Sequence, residues 1–297
     1  KEGFGIKYSG DLLASRNGIN IDAWGNISYN NIASEVGNVS VTSHQGSITQ
    51  NGISQTQSLN DITLNAFGDI TNYGQFVSAR DVNIESTSGD FNNQSTALNL
   101  SDNNFTINAP NFNNLGQIAA KNNITISASN INNNTANSKI LALNNINLNA
   151  ISVDNSNANI QAANTLTLRN LTLNAPNVAS SFGITSDATS ITNTGGTFYA
   201  GNLLDFDLGK SSSCAGEASS CQGNLSSTAM GGSYSADYTI TGNLQSAGNI
   251  RIKASNITNQ TNLQANGAIE IEATNQFTNG ILSQDNSNIK IVSGTNL

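Results

Sequence analysis

Residues 248–259 read Gly248-Asn249-Ile250-Arg251-Ile252-Lys253-Ala254-Ser255-Asn256-Ile257-Thr258-Asn259. A small polar corner leads into an apolar–polar–apolar run, and a further apolar residue, Ile257, follows seven positions after Ile250. Alternation with period 2 describes a strand that buries one face. The unit recurs along the chain, with apolar pairs Ile19/Ile21, Val39/Val41, Ile62/Leu64, Val82/Ile84, Phe105/Ile107, Ile124/Ile126, Ile146/Leu148 and Leu166/Leu168. After a gap it returns as Ile250/Ile252, Ile269/Ile271 and Ile289/Ile291. Successive starts lie 19 to 23 residues apart on either side of that gap. A second apolar position follows within each period (Ile27, Ile48, Ile70, Phe91, Phe112, Ile131, Leu173, Ile257, Phe277). A third precedes the next unit, as at Ile118, Ile140, Ile160, Leu244 and Leu263.

Three short strands per ~20 residues, separated by Gly/Asn turns, form one coil of a solenoid. One coil cannot bury its inward side chains, but stacking coils about 4.8 Å apart builds a continuous core and pairs the backbone. The expected fold is therefore all-β, a right-handed parallel β-helix of about fifteen coils and roughly 70 Å in length. Corners such as Gly37-Asn38, Asn60-Asp61, Asn103-Asn104, Asn122-Asn123 and Asn144-Asn145 suit this reading. Gly and Asn tolerate the backbone angles of tight corners, and stacked Asn side chains can hydrogen-bond as a ladder.

Charged residues make up 10% of the chain, against roughly 25% in an average soluble protein. The hydrophobic share of 37%, placed periodically, argues against a disordered Asn-rich tract. Net charge is −8, and the 11 basic residues do not cluster. A nucleic-acid partner needs a basic stripe, and an anionic membrane surface would repel this chain. The start at Lys1 without a signal peptide, and a terminal stretch that still reads as a strand, are expected of a monomeric piece cut from a longer polypeptide.

The repeat breaks between Leu173 and Leu244, which divides the chain into coils over 1–173, an irregular segment over 174–243, and coils over 244–297. From Leu166 to Ile250 is 84 residues, room for four degenerate coils or for fewer coils with an extruded loop. Insertions on solenoids often map to the binding face, and long loops are functional or disordered. Aromatics concentrate here: Phe198, Tyr199, Phe206, Tyr234 and Tyr238. Tyr199, Tyr234 and Tyr238, with Asp205 and Asp207, are the candidate receptor-binding residues, since Tyr gives large contact area at low entropic cost. Phe198, Leu204, Phe206 and Leu208 read as inward core. Tyr8, Trp24, Tyr29 and Tyr73 form a second aromatic set, expected on one face of the first coils.

The unit at 248–259 resembles the ~20-residue repeats of filamentous-haemagglutinin-type exoproteins, including CdiA-type proteins of contact-dependent growth inhibition. The resemblance spans about residues 10–173 and 243–297. It implies a Gram-negative cell-surface filament exported with an outer-membrane transporter partner. It further implies a segment that recognises an outer-membrane protein receptor on a neighbouring bacterium before toxin delivery. The alternative within the same resemblance is a stalk or adhesin section with broad glycan contact. A secreted chain meets an oxidising compartment, so Cys214 and Cys221 are expected to form a disulfide. It would either shape a binding loop or only protect it.

Parallel β-helices also carry polysaccharide-degrading enzymes, which use clustered carboxylates. Asp61 and Asp81, and likewise Asp69 and Asp90, fall at equivalent corners of successive coils. They would either share a proton or a cation or stand in for Asn as corner residues. Asp205/Asp207 and Glu270/Glu272 read as outward positions. His44, the single histidine, leaves no set for a two-His metal site or a Ser-His-Asp triad, and reads as a turn residue. The expectation is a binding protein, not an enzyme, with no metal and no cofactor.

Overall fold

The computed structural model describes residues 5–7, 10–14, 17–169, 172–174, 177–180, 183–186, 190–192, 197–207, 237–240, 243–260, 263–279 and 289–293. Every strand pairing among them is parallel, and the strands stack as a β-solenoid. First strands of successive coils include Ile19–Ala23, Val39–Ser43, Ile62–Ala66, Val82–Ser86 and Phe105–Asn108. Their register sets Ile19 on Val39, Val39 on Ile62, Ile62 on Val82 and Val82 on Phe105. Second strands include Ile27–Tyr29, Ile48–Gln50, Ile70–Asn72, Phe91–Asn93 and Asn111–Asn114, again in register. In four coils the first and second strands run together, as Ile124–Asn132, Ile146–Asp154, Asn249–Asn259 and Ile269–Asn279. There, corners like Gly68-Asp69 and Gly89-Asp90 give way to glycine-free residues such as Ser127-Ala128-Ser129.

The third strands form a separate 12-stranded sheet running from Asp11–Ala14 to Leu263–Ala265, one strand to a coil. Thirteen first strands stack among the described residues, from Ile19–Ala23 to Ile289–Ser293, fewer than the expected fifteen, and at 4.8 Å per coil they make a rod of roughly 60 Å. Dividing the chain length by 20 overcounts, because several coils are longer than 20 residues. Val39, Val41, Ile62, Leu64, Val82, Ile84, Phe105, Ile107, Ile124 and Ile126 fill the core from the first column. The second and third columns add Ile27, Ile48, Ile70, Phe91, Phe112, Ile32, Phe76, Ile118, Ile140 and Ile160. Tyr29, expected on an aromatic surface, is wholly buried, whereas Trp24 and Tyr73 are exposed on different corners. The tyrosine ends its strand on the same parity as inward Ile27, so burial follows from period 2.

An outer and an inner asparagine ladder are among those that run along the rod. The outer one, at the corner before each first strand, links Asn103 to Asn122, Asn122 to Asn144 and Asn144 to Asn164, each later amide donating to the earlier carbonyl oxygen. A second row links Asn104, Asn123 and Asn145 in the same sense. The inner ladder lies in the core. Asn72 Nδ2 donates to Asn93 Oδ1, Asn93 Nδ2 to Asn114 Oδ1 (2.8 Å), Asn114 Nδ2 to Asn133 Oδ1 (2.6 Å) and Asn133 Nδ2 to Asn155 Oδ1. Asn99 joins from the third column, donating to Asn93 at 2.7 Å and accepting from Asn72 at 2.8 Å. All six are fully buried, as buried amides must be when their partners are also amides. Close stacking also dictates composition at corners. A Cβ on Gly89 would lie 2.3 Å from the backbone nitrogen of Asp69, one coil below.

Burial holds the Tyr29 phenol above its ordinary value of 10.0, an effect opposed by a hydrogen bond with Thr56. Its folded pKa exceeds its unfolded one, so its contribution to stability is complete below about pH 10 and falls as pH rises further. The stability difference between the parent chain and Tyr29→Phe should therefore shift in the variant's favour from about pH 9 to about pH 11. Denaturation midpoints at the two pH values test this, and an unchanged difference would sink it.

Candidate functional site

The sequence-predicted site residues fall in and around the tenth coil. Tyr199 lies in the third strand Thr197–Ala200 and pairs with Ala179 below and Gln245 above. Asp205 and Asp207 lie in the first strand Leu203–Asp207, one position off Leu204 and Phe206, whose partners Ile250 and Ile252 are buried. Tyr238, in Asp237–Ile240, pairs with Ile257, a fully buried core position. Phe198 likewise shares the register of buried Leu244. These residues thus occupy three different strand columns, and Tyr238 sits in the register of the core. Tyr234, Cys214, Cys221 and Leu208 lie outside the described residues, as does Tyr8 in the first aromatic set.

Register brings together charges that lie far apart in the sequence. Asp205 pairs with Arg251, Arg251 with Glu270, and Glu270 with Lys290. Two residues on, Asp207 pairs with Lys253 and Lys253 with Glu272. Charge alternates along both columns, and Lys253 Nζ meets Glu272 Oε2 at 2.9 Å. Opposite charges on adjacent strands stabilise a sheet by ~0.2–1 kcal/mol a pair, whereas like charges oppose it. The signal is the alternating sign at a ~20-residue spacing, interrupted in sequence between Asp207 and Lys253.

The corner aspartates act as asparagine equivalents. Asp61 Oδ1 accepts the backbone N–H of Asp81 at 3.2 Å, and Asp69 Oδ1 accepts that of Asp90 at 2.8 Å. Asp81 Oδ1 in turn accepts from the Asn103 and Asn104 amides, and Asp90 Oδ1 from Asn111. Each carboxylate faces donors of the next coil, not a second carboxylate. Among the described residues no three His, Cys, Asp or Glu side chains gather as a metal site. His44 sits in a corner, 2.8 Å from Asp22 Oδ1, its ring 5.8 Å from that of Trp24 in the coil below.

Two of the grooves on the described surface run along the rod. One, of about 530 Å³, follows the first corner over four coils and is lined by polar residues including Glu85, Thr87, Asn108, Ser129 and Asn149. The other, of about 410 Å³, follows the third-strand face and is bordered by Leu100, Ala119, Leu141, Leu143 and Ala163. No protein-family model, curated protein or solved structure matches the chain.

Proposed function

We propose that this chain is a segment of a secreted surface filament of the filamentous-haemagglutinin type, exported with an outer-membrane transporter partner. In this reading the tenth coil meets an outer-membrane protein on a neighbouring cell before a toxin is delivered, as in CdiA-type proteins. One observation carries it. First-strand pairing passes unbroken from Thr165–Arg169 through Gly183–Ser186 and Leu203–Asp207 to Asn249–Asn259. Yet Leu203–Asp207 is separated in sequence from its second strand, Asp237–Ile240, by residues 208–236, where the coil below uses residues 187–189. A link of that length in place of three residues is extra chain, and extra chain on a solenoid gathers where it binds. A stalk or adhesin section is the second reading, favoured by the same unbroken register.

The test replaces residues 208–236 with Asp187-Ala188-Thr189, the link of the preceding coil. The parent, fluorescently labelled, should bind intact Gram-negative cells saturably. The variant should keep its β-sheet circular dichroism and lose that binding. Equal binding by both chains would remove the insertion from the contact and favour the stalk or adhesin reading.

A further inference from the structure

We infer that the third-strand face is a self-complementary surface that pairs two copies of this chain side by side and antiparallel. Six stacked corner residues, one per coil, run Leu59, Ala79, Asp102, Lys121, Leu143 and Ala163. From Ala79 onward each N–H donates to the carbonyl of the last third-strand residue in the coil below. All six are exposed, Leu143 by 70% and Leu59 by 55%. The adjacent outward column runs Gln57, Val77, Leu100, Ala119, Leu141 and Gln161 in continuous register.

A two-fold axis in the contact plane and perpendicular to the rod brings each column against itself in reverse. With the axis between the Asp102 and Lys121 coils, Leu59 opposes Ala163, Ala79 opposes Leu143, and Asp102 opposes Lys121. In the second column Gln57 meets Gln161, Val77 meets Leu141, and Leu100 meets Ala119. Each bulky corner leucine faces an alanine, each charge faces its opposite, and the apolar stretch is closed at both ends by glutamine. Asp102 and Lys121 already pair within one chain at 2.8 Å, so two copies would complete a square of alternating charges. A two-fold axis along the rod would instead set Asp102 on Asp102 and Lys121 on Lys121, or either charge against the apolar column. The charges therefore select the antiparallel arrangement. The patch is about 24 Å long and two columns wide, less than a standard interface, so the pairing is a weak one.

Sedimentation equilibrium of the chain from about 1 μM to about 500 μM should show a monomer–dimer equilibrium. Lys121→Asp should weaken it about tenfold or more, and adding Asp102→Lys should restore it, since that swap rebuilds the alternating square. Leu59→Gln, at an exposed position far from the charges, reads the same contact should Lys121→Asp misfold. A monomer throughout, or a dimer that neither substitution moves, would overturn the inference. The second outcome would place association at the open sheet edges of the rod ends.

Discussion

Asn93→Ala should lower stability by about 3–5 kcal/mol, a large loss for an uncharged polar residue. The Asn93 carbonyl oxygen receives the Asn99 amide at 2.7 Å, and its own amide donates to Asn114 at 2.8 Å. Truncation strips Asn114 Oδ1 of that donor and leaves Asn99 Nδ2 with only a 3.4 Å contact to the Gln117 carbonyl. Both groups are fully buried, so water cannot take over without a cavity to enter. Each buried group so stranded costs about 1–3 kcal/mol, and the vacated volume adds to this. Asn122→Ala is the control. Its amide also bridges neighbouring coils, donating to Asn103 and accepting from Asn144, but it lies half-buried on the outer ladder. Water can replace those bonds, so the loss should stay below about 1 kcal/mol. Denaturant midpoints of the two variants settle the matter. Equal losses would mean that the core ladder is no more than a corner ladder turned inward.

That contrast also marks how far the sequence could be read. The apolar columns were legible because Ile, Leu, Val and Phe return at nearly constant spacing, and each such residue with a described side chain is buried where the second and third strands were expected. The inner ladder was not legible. In Phe91-Asn92-Asn93 the two asparagines look alike, yet Asn92 faces out and Asn93 faces in. Composition cannot separate a solvated asparagine from one satisfied by a column of its own kind, because the partners lie a whole coil away in sequence. The third column was hidden in the first coils for the same reason. Between inward Ile32, Phe76 and Ile118 stand Thr56 and Asn99, which are buried but polar.

The candidate site was legible as a break in the repeat but not as a surface. Sequence proximity grouped Tyr199, Asp205, Asp207 and Tyr238, and register separates them into three columns. Asp205 and Asp207 drew notice as a paired acidic feature. Register sets them beside Arg251 and Lys253, in columns of alternating charge. Such columns are invisible until strands more than forty residues apart in sequence are known to be neighbours.

Phe112→Ala should cost about 3–5 kcal/mol, and where the loss is felt tells as much as its size. The Phe112 ring is fully buried and stacks on Phe91 of the coil below, with centroids 5.3 Å apart and planes 9° from parallel. Above it the register places Ile131. Removing the ring leaves a void between two coils whose backbones are held by strand pairing and cannot close on it, and it forfeits the aromatic pair, worth about 0.5–1.5 kcal/mol more. In a solenoid each coil touches only its neighbours, so the damage is transmitted one interface at a time. Hydrogen exchange should show protection falling in the coils that hold Phe91, Phe112 and Ile131. Protection at Ile250–Ile252 and Ile269–Ile271, several coils away, should stay near that of the parent. A uniform fall along the rod would mean that the stack opens as one cooperative body, and the nearest-neighbour picture of its stability would have to be given up.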